Sequence, residues 1–504
     1  MKNLKLYFTS DLHGYVYPTD YRDDTQQPMG MLNIINEYKK DGNTLIFDGG
    51  DTIQGSPFTT YLNMQDFDVH PIAQVMNAGG YDYMTLGNHE FNYGYDYLKK
   101  YINHLNGKCL CTNIVDKTGE INIGNSDIKV LENGLRVGVI GFTTDFIPIW
   151  ENPKHLTNFD VLSTFPTVKA EYDLLKPQVD VLIGVYHGGF ERDLDSHDVL
   201  STSSENIAFK ICEELEFDIL LTGHAHLPIK DTTLFGTHIV QTQHNGAHYI
   251  ELNLSMDEQG VKTITSTHKT PSVNPHPAMY EALLPLETDV QSWLDQPVGH
   301  LNMPLNPTSR VDMAMNGTPL ANFINQIQFD ISSADLSCTS FANSIKGFNQ
   351  SVTVRDIVST YIYPNTLVVR KVTGDILKQA LEVCASYLEK EGDEVVVSNR
   401  FLQPKEAHYN YDFFAGFEYK FDLNREVGDR VVSMTRNGDE MKLDDEFTLV
   451  MNNYRSSCVG GYDCYEAAPI VKEIQIDMTE IIISYFNQYK NVTVDETKYI
   501  SVIA

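Results

Sequence analysis

The feature that most constrains the fold is an alternation that repeats along the first half of the chain. From residue 1 to about 254, short β-branched or aromatic runs are each followed by a polar cluster and then by a longer helix-compatible stretch. This alternation is typical of a layered α/β fold. A predicted hairpin from His238 to Leu254 closes the series. The six predicted strands before it are Leu4–Thr9, Thr44–Phe47, Met84–Leu86, Val137–Phe142, Val179–Tyr186 and Phe217–Leu221.

The pattern changes after residue 273. Residues 274–296 form a proline-flanked helical stretch, which we interpret as a linker helix. Beyond it, the helical stretch Asp375–Leu388 mixes with the predicted strands Glu418–Leu423 and Glu446–Met451, which indicates a second α/β domain. The predicted organisation is therefore a first domain at 1–273, a linker at 274–296 and a second domain at 297–504.

Net charge narrows the choice of partners. The chain has 37 Lys and Arg residues against 68 Asp and Glu residues, for a formal charge of −31. This balance argues against binding to nucleic-acid polymers or anionic membranes, and the apolar runs are far shorter than the roughly 20 residues that span a bilayer. We expect a small-molecule partner. If that partner is a phosphate ester, bound cations or placed backbone N–H groups must reverse the local potential.

The cysteines and the first residues favour a cytoplasmic location. The stretch Met1–Asp11 has no apolar region or small-residue cleavage site of the secretory type. Seven cysteines, an odd number, occur without a C-x-x-C pair. Free thiols in a reducing compartment are the expected state.

Five polar clusters of the first domain each begin where a predicted strand ends. Taken singly, each cluster is more typical of a hydrogen-bonded turn, but the carboxyl ends of strands share one edge of an α/β sheet, so the set can converge. Its carboxylate, amide and imidazole donors suit zinc, manganese or iron, and the neighbouring glycines allow close approach of the backbone. The clusters are Asp11-Leu12-His13, Gly50-Asp51, Gly87-Asn88-His89-Glu90, His187-Gly188-Gly189 and Gly223-His224-Ala225-His226.

The order of these clusters resembles the calcineurin-like binuclear metallophosphoesterases. The resemblance implies a four-layer β-sandwich domain flanked by helices, with two divalent metal ions (Mn, Zn or Fe) as cofactors. It assigns Asp11, His13 and His226 to one ion, Asn88, His187 and His224 to the other, and Asp51 to both. Two such ions can lower the pKa of a water that attacks phosphorus, and Asn88 would also stabilise charge on the phosphate oxygens.

His89 and Asn92 are the candidate catalytic residues beside the ligands. The resemblance gives His89 the task of polarising the phosphate and assisting the leaving oxygen, whereas the alternative is a core histidine. Many 5′-nucleotidases of this family carry Asp at the position of Asn92. An amide oxygen can accept a hydrogen bond from the ring, but it stabilises an imidazolium less than a carboxylate does. In carrying an amide at this position, the chain resembles the branch of the family that acts on 2′,3′-cyclic nucleotides and 3′-nucleotides.

The C-terminal third resembles the 5′-nucleotidase C-terminal domain, a second α/β domain that binds nucleotides. Its Tyr-Asn-Tyr-Asp and Gly-Gly-Tyr-Asp segments resemble the two base-clamping loops of that domain, which implies that Tyr411 and Tyr462 stack on a base. The neighbouring phenylalanines are expected in the core. Lys346 is the cation retained in a loop that grips the nucleotide in 5′-nucleotidases, although a lysine lacks the fork of an arginine. Arg455 is a candidate substrate contact, with a surface ion pair as the alternative.

Together these features predict metal-dependent hydrolysis of nucleotide phosphoesters. The substrates are either those of a 5′-nucleotidase or those of a 2′,3′-cyclic-nucleotide phosphodiesterase with 3′-nucleotidase activity. The alternatives are hydrolysis of another ester, such as a nucleotide sugar or a thiosulfate ester, and a noncatalytic nucleotide-binding protein. The sequence leaves the metal, the base and the oligomeric state open.

Overall fold

The chain divides into two units, which we describe separately from a computed structural model. The model describes residues 2–23, 25–199, 203–363, 365–392, 394–402, 406–474 and 476–504. Unit 1 is Met1–Gln291 and unit 2 is Ser292–Ala504, so the division falls within the predicted linker. The helix expected there is observed at Pro277–Leu294. Within the described ranges, no helix combines the length and apolarity needed to cross a bilayer.

Unit 1 is built on two large mixed sheets. Because buried apolar side chains line both of them, a single core fills the space between the sheets, and it includes Phe8 and Phe47 from one sheet and Val139 and Ile183 from the other. In spatial order, the seven-stranded sheet is Lys262–Lys269, Tyr249–Met256, Lys2–Thr9, Thr44–Asp48, Tyr83–Met84, Lys108–Leu110 and Ile123–Gly124. The six-stranded sheet is Ile229–Leu234, Thr237–Gln241, Ile219–Thr222, Val181–His187, Arg136–Thr143 and Ser126–Val130.

Helices cover the outer faces of this sandwich. Thr164–Leu175 and Ala208–Glu214 contribute to a second core against the six-stranded sheet. On the outer face of the other sheet, Tyr7 stacks on Tyr38 at the end of the helix Met31–Glu37. The four-layer sandwich flanked by helices is thus confirmed. The other helices of unit 1 are Pro57–Asn63, Pro71–Gly79, Tyr95–Asn103 and Ile147–Trp150, and a small pair of strands is formed by Ile114–Asp116 and Phe159–Val161.

The six predicted strands are all present, but the predicted hairpin is wrong. Thr237–Gln241 runs parallel to Ile219–Thr222 in the six-stranded sheet, whereas Tyr249–Met256 pairs with Lys2–Thr9 in the seven-stranded sheet. The intervening segment therefore passes from one sheet to the other. Apolar alternation marks each strand correctly but carries no information about its pairing partner.

Parallel register places the strand ends level with one another. Thr9 pairs with Asp48 and Asp48 pairs with Met84 in the seven-stranded sheet. In the six-stranded sheet, Tyr186 pairs with Thr222. The polar clusters that follow these strands therefore emerge at the same edge of each sheet.

Unit 2 is a second α/β body, and the predicted helix and strands are found at Gly374–Ala385, Glu418–Asp422 and Glu446–Asn452. Its five-stranded sheet is Phe413–Ala415, Leu336–Thr339, Glu446–Asn452, Leu367–Thr373 and Ile470–Ile474, and its four-stranded sheet is Asp439–Glu440, Val431–Arg436, Glu418–Asp422 and Ile500–Ile503. Smaller sheets are formed by Ser351–Thr353, Pro297–Leu301 and Asn491–Val492, and by Leu388–Glu391 and Glu394–Val397. The remaining α-helices are Arg310–Asn316, Pro319–Ser332, Val354–Thr360, Asn453–Ser456 and Met478–Gln488.

Candidate metal centre

The backbone at the strand ends of unit 1 is left-handed at many of the predicted ligands. Such a conformation costs a non-glycine residue on the order of 1–3 kcal/mol, so the surrounding structure must hold it. Hydrogen bonds from Asp11 N to Gly50 O (2.9 Å) and from His13 N to Asp51 O (2.8 Å) do so. The residues concerned, with φ in parentheses, are Asp11 (55°), His13 (46°), Asp51 (55°), His224 (70°) and His226 (57°).

The first group of candidate ligands is Asp11, His13 and His226, whose ligand atoms all lie within 4.8 Å of one another. His226 Nε2 is 3.3 Å from Asp11 Oδ1 and 3.1 Å from His13 Nε2. His13 Nδ1 faces the carbonyl of Gln54 at 3.0 Å and therefore donates to it, which leaves the Nε2 lone pair of a neutral ring directed into the group. Burial and the nearby His226 lower the pKa of His13 to about 3, so this ring is neutral, as a metal ligand must be.

The second group is Asp51, His187 and His224, again within 4.8 Å. His224 Nδ1 also lies 3.0 Å from the side-chain oxygen of Asn88. His187 donates Nδ1–H to Gly49 O at 2.7 Å, and its buried Nε2 lies 3.0 Å from Asp51 Oδ2 without the geometry of a hydrogen bond. Burial opposes a charged ring at His187, yet Asp51 raises its pKa to about 10. The Asp51 carboxylate thus favours a positive charge beside it, next to His187 Nε2.

Asp51 belongs to more than one such group, because its ligand atoms also lie within 4.8 Å of those of His13 and His89. A carboxylate has two oxygens and can contact two cations, whereas an imidazole nitrogen contacts one. The donor chemistry, the orphaned Nε2 of His187 and the two shared groups all fit a pair of divalent cations. The seven predicted ligands are therefore brought together.

Glu90 supports the loops that carry these ligands. Its buried carboxylate accepts backbone N–H groups from Gly87 (2.6 Å), Asp51 (2.7 Å) and Thr52 (2.6 Å). Gly87 itself leaves no room for a side chain, since an added Cβ would lie 2.1 Å from Asp51 Oδ1 and 2.6 Å from a carbon of the His187 ring. This close approach is the reason for the glycine that the motif carries.

His89 and Asn92 also lie at the centre. His89 N donates to Asp51 Oδ1 at 2.8 Å, and His89 Nδ1 lies 2.6 Å from Asn92 Oδ1. The 3₁₀ turn His89–Phe91 places these two side chains on one face, because residues three apart are eclipsed in that helix type. The His89 ring meets the His13 ring edge-on at 5.2 Å between centroids.

Two neighbours of the ligands were missed by sequence reasoning. Glu205 Oε1 is 3.0 Å from His224 Nε2, so it holds that ring with Nδ1 on the side of Asn88. His244 stacks on His226 with 4.6 Å between ring centroids. Both residues stand in loops with no recognisable motif, and no sequence signal would have identified them.

In unit 2 the structure corrects the expectation for Tyr411, Tyr462 and Arg455. Tyr411 is 3% exposed and Tyr462 is fully buried, so neither ring offers a face to a base. Arg455 is 1% exposed and forms a buried ion pair with Asp412, with a guanidinium nitrogen 2.7 Å from a carboxylate oxygen. The Arg455 guanidinium lies 3.8 Å from the Tyr462 ring centroid. Arg455, Asp412 and Tyr462 therefore pack against one another inside unit 2 and do not contact a ligand. The ion pair is real but buried, not on the surface.

Other tyrosines of unit 2 lie at the surface. Tyr454 is 39% exposed, and its ring meets the partly exposed Tyr409 edge-on, with 6.0 Å between centroids. Tyr363 is 40% exposed, and its ring also meets that of Tyr409 edge-on, with 6.3 Å between centroids. Lys346 is exposed in the loop that follows the strand Leu336–Thr339, and its contact with substrate remains a prediction.

Comparison with known proteins identifies a family for each unit. Residues 4–228 match the family model for calcineurin-like phosphoesterases, and residues 297–467 match that for the 5′-nucleotidase C-terminal domain. A solved putative 5′-nucleotidase from Staphylococcus aureus is 33% identical, with full coverage of both chains and a TM-score of 0.78.

Two curated relatives carry more specific names. A 2′,3′-cyclic-nucleotide 2′-phosphodiesterase/3′-nucleotidase from Yersinia enterocolitica is 25% identical over 90% of this chain and 80% of its own length. A trifunctional nucleotide phosphoesterase from Bacillus subtilis is 24% identical over 97% of this chain, which spans 38% of that longer protein.

Proposed function

The chain belongs to the calcineurin-like phosphoesterase family and carries a 5′-nucleotidase C-terminal domain, and on this premise we propose that it hydrolyses nucleotide phosphoesters with two divalent cations. The observation that carries the proposal is the convergence of the candidate ligands into three overlapping groups, in which His13 links the group of Asp11 and His226 to Asp51, and Asp51 links His13 to the group of His187 and His224. In a protein of charge −31, such cations supply the local positive potential that an anionic ester requires.

We assign the candidate ligands to two cations. Asp11, His13 and His226 would hold one cation, Asn88, His187 and His224 the other, and Asp51 both. When bound, a pair of divalent cations stabilises charge on the phosphate and makes a water nucleophilic near neutral pH. Manganese and zinc are our first candidates, because the donor set mixes carboxylate and amide oxygens with imidazole nitrogens.

His89 acts on the substrate from beside the ligands. Its Nδ1 is engaged by Asn92 and its main-chain N–H by Asp51, so the ring can be held in one direction. When the ring also carries a proton on the opposite nitrogen, that nitrogen can donate a hydrogen bond to a phosphate oxygen and then give up its proton to the departing oxygen of the ester, which leaves the neutral ring with Nδ1–H on Asn92. We expect His89→Ala to lower kcat without loss of the cations.

Among nucleotide esters, we place 2′,3′-cyclic nucleotides and 3′-nucleotides first. The names of the Yersinia enterocolitica and Bacillus subtilis relatives support this choice, as does the amide at Asn92 in place of a carboxylate. A 5′-nucleotidase is the second candidate, supported by the name of the Staphylococcus aureus structure. The exposed Tyr409 and Tyr454 are the rings that we propose for contact with the base.

The experiment is phosphate release from a panel of 5′-, 3′- and 2′,3′-cyclic nucleotides with added Mn²⁺ or Zn²⁺. Asp51→Asn is the matched control, because it removes the shared carboxylate while keeping its shape. Turnover by the parent protein and its loss in Asp51→Asn support the proposal. If no nucleotide is hydrolysed, a panel of nucleotide sugars and thiosulfate esters tests the alternative substrates. Tight binding of intact nucleotides would instead favour a noncatalytic role.

We further propose a cytoplasmic location. The support is that all seven cysteines are free thiols and that five of them are buried, as is usual for proteins of a reducing compartment. Fractionation of cells that express the tagged chain tests this proposal, since recovery outside the cytoplasmic fraction would contradict it.

A further inference from the structure

A chain of short contacts leads outward from His89. Asn92 Oδ1 lies 2.6 Å from His89 Nδ1, and Asn92 Nδ2 donates to Glu151 Oε2 at 2.6 Å. The other oxygen of Glu151 accepts from Asn152 N at 2.6 Å and lies 2.9 Å from His155 Nδ1. Glu151 is only 8% exposed, so little water competes for its oxygens.

This arrangement fixes which way the Asn92 amide points. A carboxylate only accepts hydrogen bonds, so the amide nitrogen must face Glu151 and the amide oxygen must face His89. That oxygen in turn requires a proton on His89 Nδ1, which leaves the lone pair of the neutral ring on Nε2. An Asn92 amide turned by half a rotation would present its NH₂ group to Nδ1 and favour the wrong tautomer.

Resting on the proposed function, we propose that Glu151 is a positioning residue for catalysis. Through Asn92 it fixes the tautomer and the direction of the His89 imidazole. The chain of contacts from His89 thus ends on the carboxylate of Glu151, with the uncharged amide of Asn92 between them. Asn92 directly follows the turn His89–Phe91, whereas Glu151 follows the helix Ile147–Trp150 some sixty positions away. The network therefore joins two segments that no local motif connects.

The first test is Glu151→Gln. A glutamine has only one acceptor oxygen. That oxygen should take the position of Glu151 Oε1, because two donors, Asn152 N–H and His155 Nδ1–H, meet there. Its NH₂ group then faces Asn92, and the Asn92 amide turns round. We expect kcat for a nucleotide to fall about 10- to 100-fold, as for other losses of an outer hydrogen-bond partner, with KM changed less than about twofold.

The leaving group separates positioning from general damage. p-Nitrophenolate departs without the help of a proton, so hydrolysis of p-nitrophenyl phosphate should slow much less in Glu151→Gln than hydrolysis of a nucleotide. Equal slowing of both substrates, or loss of bound Mn²⁺ measured by mass spectrometry, would show that Glu151 merely maintains the fold and would overturn the proposal.

The second test is rescue through position 92. Asn92→Asp alone sets two carboxylates at the present 2.6 Å contact, where they repel or share a proton. In Asn92→Asp/Glu151→Gln, the new carboxylate accepts from both His89 Nδ1–H and the glutamine NH₂. We expect the double variant to turn over nucleotide faster than either single variant. Additive losses in the double variant would contradict the proposal.

A control variant and a second readout complete the design. Glu37→Gln alters a carboxylate that accepts from Ser272 and Tyr249 at a distance from the centre, and it should match the parent protein. Ring ¹⁵N shifts in the metal-free protein, assigned with His89→Gln, report the His89 tautomer directly. They should show Nδ1–H in the parent and a changed tautomer in Glu151→Gln. An unchanged tautomer refutes the inference, whereas absence of nucleotide turnover by the parent refutes only the proposed function.

Discussion

Glu90→Gln tests how strongly one buried side chain maintains the metal centre. The Glu90 carboxylate is 1% exposed, and its oxygens each serve two backbone N–H groups. Oε2 accepts from Gly87 and Asp51, while Oε1 accepts from Thr52 at 2.6 Å and Ile53 at 3.3 Å. In either orientation, a glutamine places its NH₂ group against two of these N–H groups and leaves both without an acceptor.

The loss of stability follows from the number of N–H groups that lose an acceptor, which is two. Each buried N–H that loses its acceptor costs about 1–3 kcal/mol, so the free energy of unfolding should fall by about 2–6 kcal/mol. The displaced loops carry Asp51 and Gly87, and the affinity for Mn²⁺ should therefore also weaken, by about 10- to 100-fold.

Urea unfolding of the metal-free protein, followed by circular dichroism, measures the first quantity, and calorimetric titration with Mn²⁺ measures the second. Glu171→Gln is a suitable control, because Glu171 is half-buried and accepts from the hydroxyl of Ser126 at 2.5 Å. It should cost less than about 1 kcal/mol. Equal unfolding midpoints for Glu90→Gln and the control would refute the reasoning.

Three further predictions address other parts of the molecule. Gly87→Ala would place a methyl group 2.1 Å from Asp51 Oδ1, so bound Mn²⁺ per chain, measured by mass spectrometry, should fall by at least one ion. His70 is buried among aromatic rings, and burial lowers its pKa to about 3. The folded state thus binds fewer protons than the unfolded state as pH falls below about 6.5, and stability drops by about 2 kcal/mol from about pH 7.5 to about pH 5. His70→Leu should remove that difference in urea unfolding. Tyr454→Ala should raise KM for nucleotides several-fold, by loss of part of a stacking contact worth about 1–3 kcal/mol, while kinetics with p-nitrophenyl phosphate stay unchanged.

Each of the three has a contradicting result. Full Mn²⁺ occupancy in Gly87→Ala would mean that Asp51 can move without losing a cation. Equal pH dependence of the parent and His70→Leu would show that His70 is charged or rearranged in the folded state. A KM that rises equally for nucleotides and p-nitrophenyl phosphate in Tyr454→Ala would remove Tyr454 from the base contact.

The strands and the convergence of the candidate metal ligands could be predicted because their signals are local. An apolar run followed by Asp11 or His187 is legible from a few residues, and sheet geometry then brings the run ends together. The hairpin was wrong because pairing is not local, since Thr237–Gln241 and Tyr249–Met256 join different sheets. The segment between them even contributes to the centre, where Asn245 N donates to Asp11 O.

The tyrosines of unit 2 show a second limit. Tyr409 and Tyr411 are two positions apart, and composition does not reveal which of them faces solvent. The difference is tertiary: Tyr462 packs against the buried Arg455–Asp412 ion pair, and Tyr411 packs against Tyr387 and Phe413. Glu205 and Glu151 lay beyond prediction for a related reason, because they approach His224 and Asn92 only through the tertiary fold.

The metal centre also has a consequence for the fold that carries it. Asp51 follows a strand of the seven-stranded sheet and meets His187 at the end of a strand of the six-stranded sheet, and the Asp11 carboxylate accepts the backbone N–H of His224 from the opposite sheet. The buried carboxylates of Asp11 and Asp51 favour positive charge between the two sheets, either as protons on the neighbouring histidines or as metal ions. Because cations held there would bind only the assembled pair of sheets, their binding would stabilise the sandwich by mass action, by about 4 kcal/mol at a thousandfold excess over the dissociation constant. The residues that we propose as metal ligands therefore also hold the two sheets of unit 1 together. The free energy of cation binding would offset part of the cost of the left-handed backbone at Asp11 and Asp51.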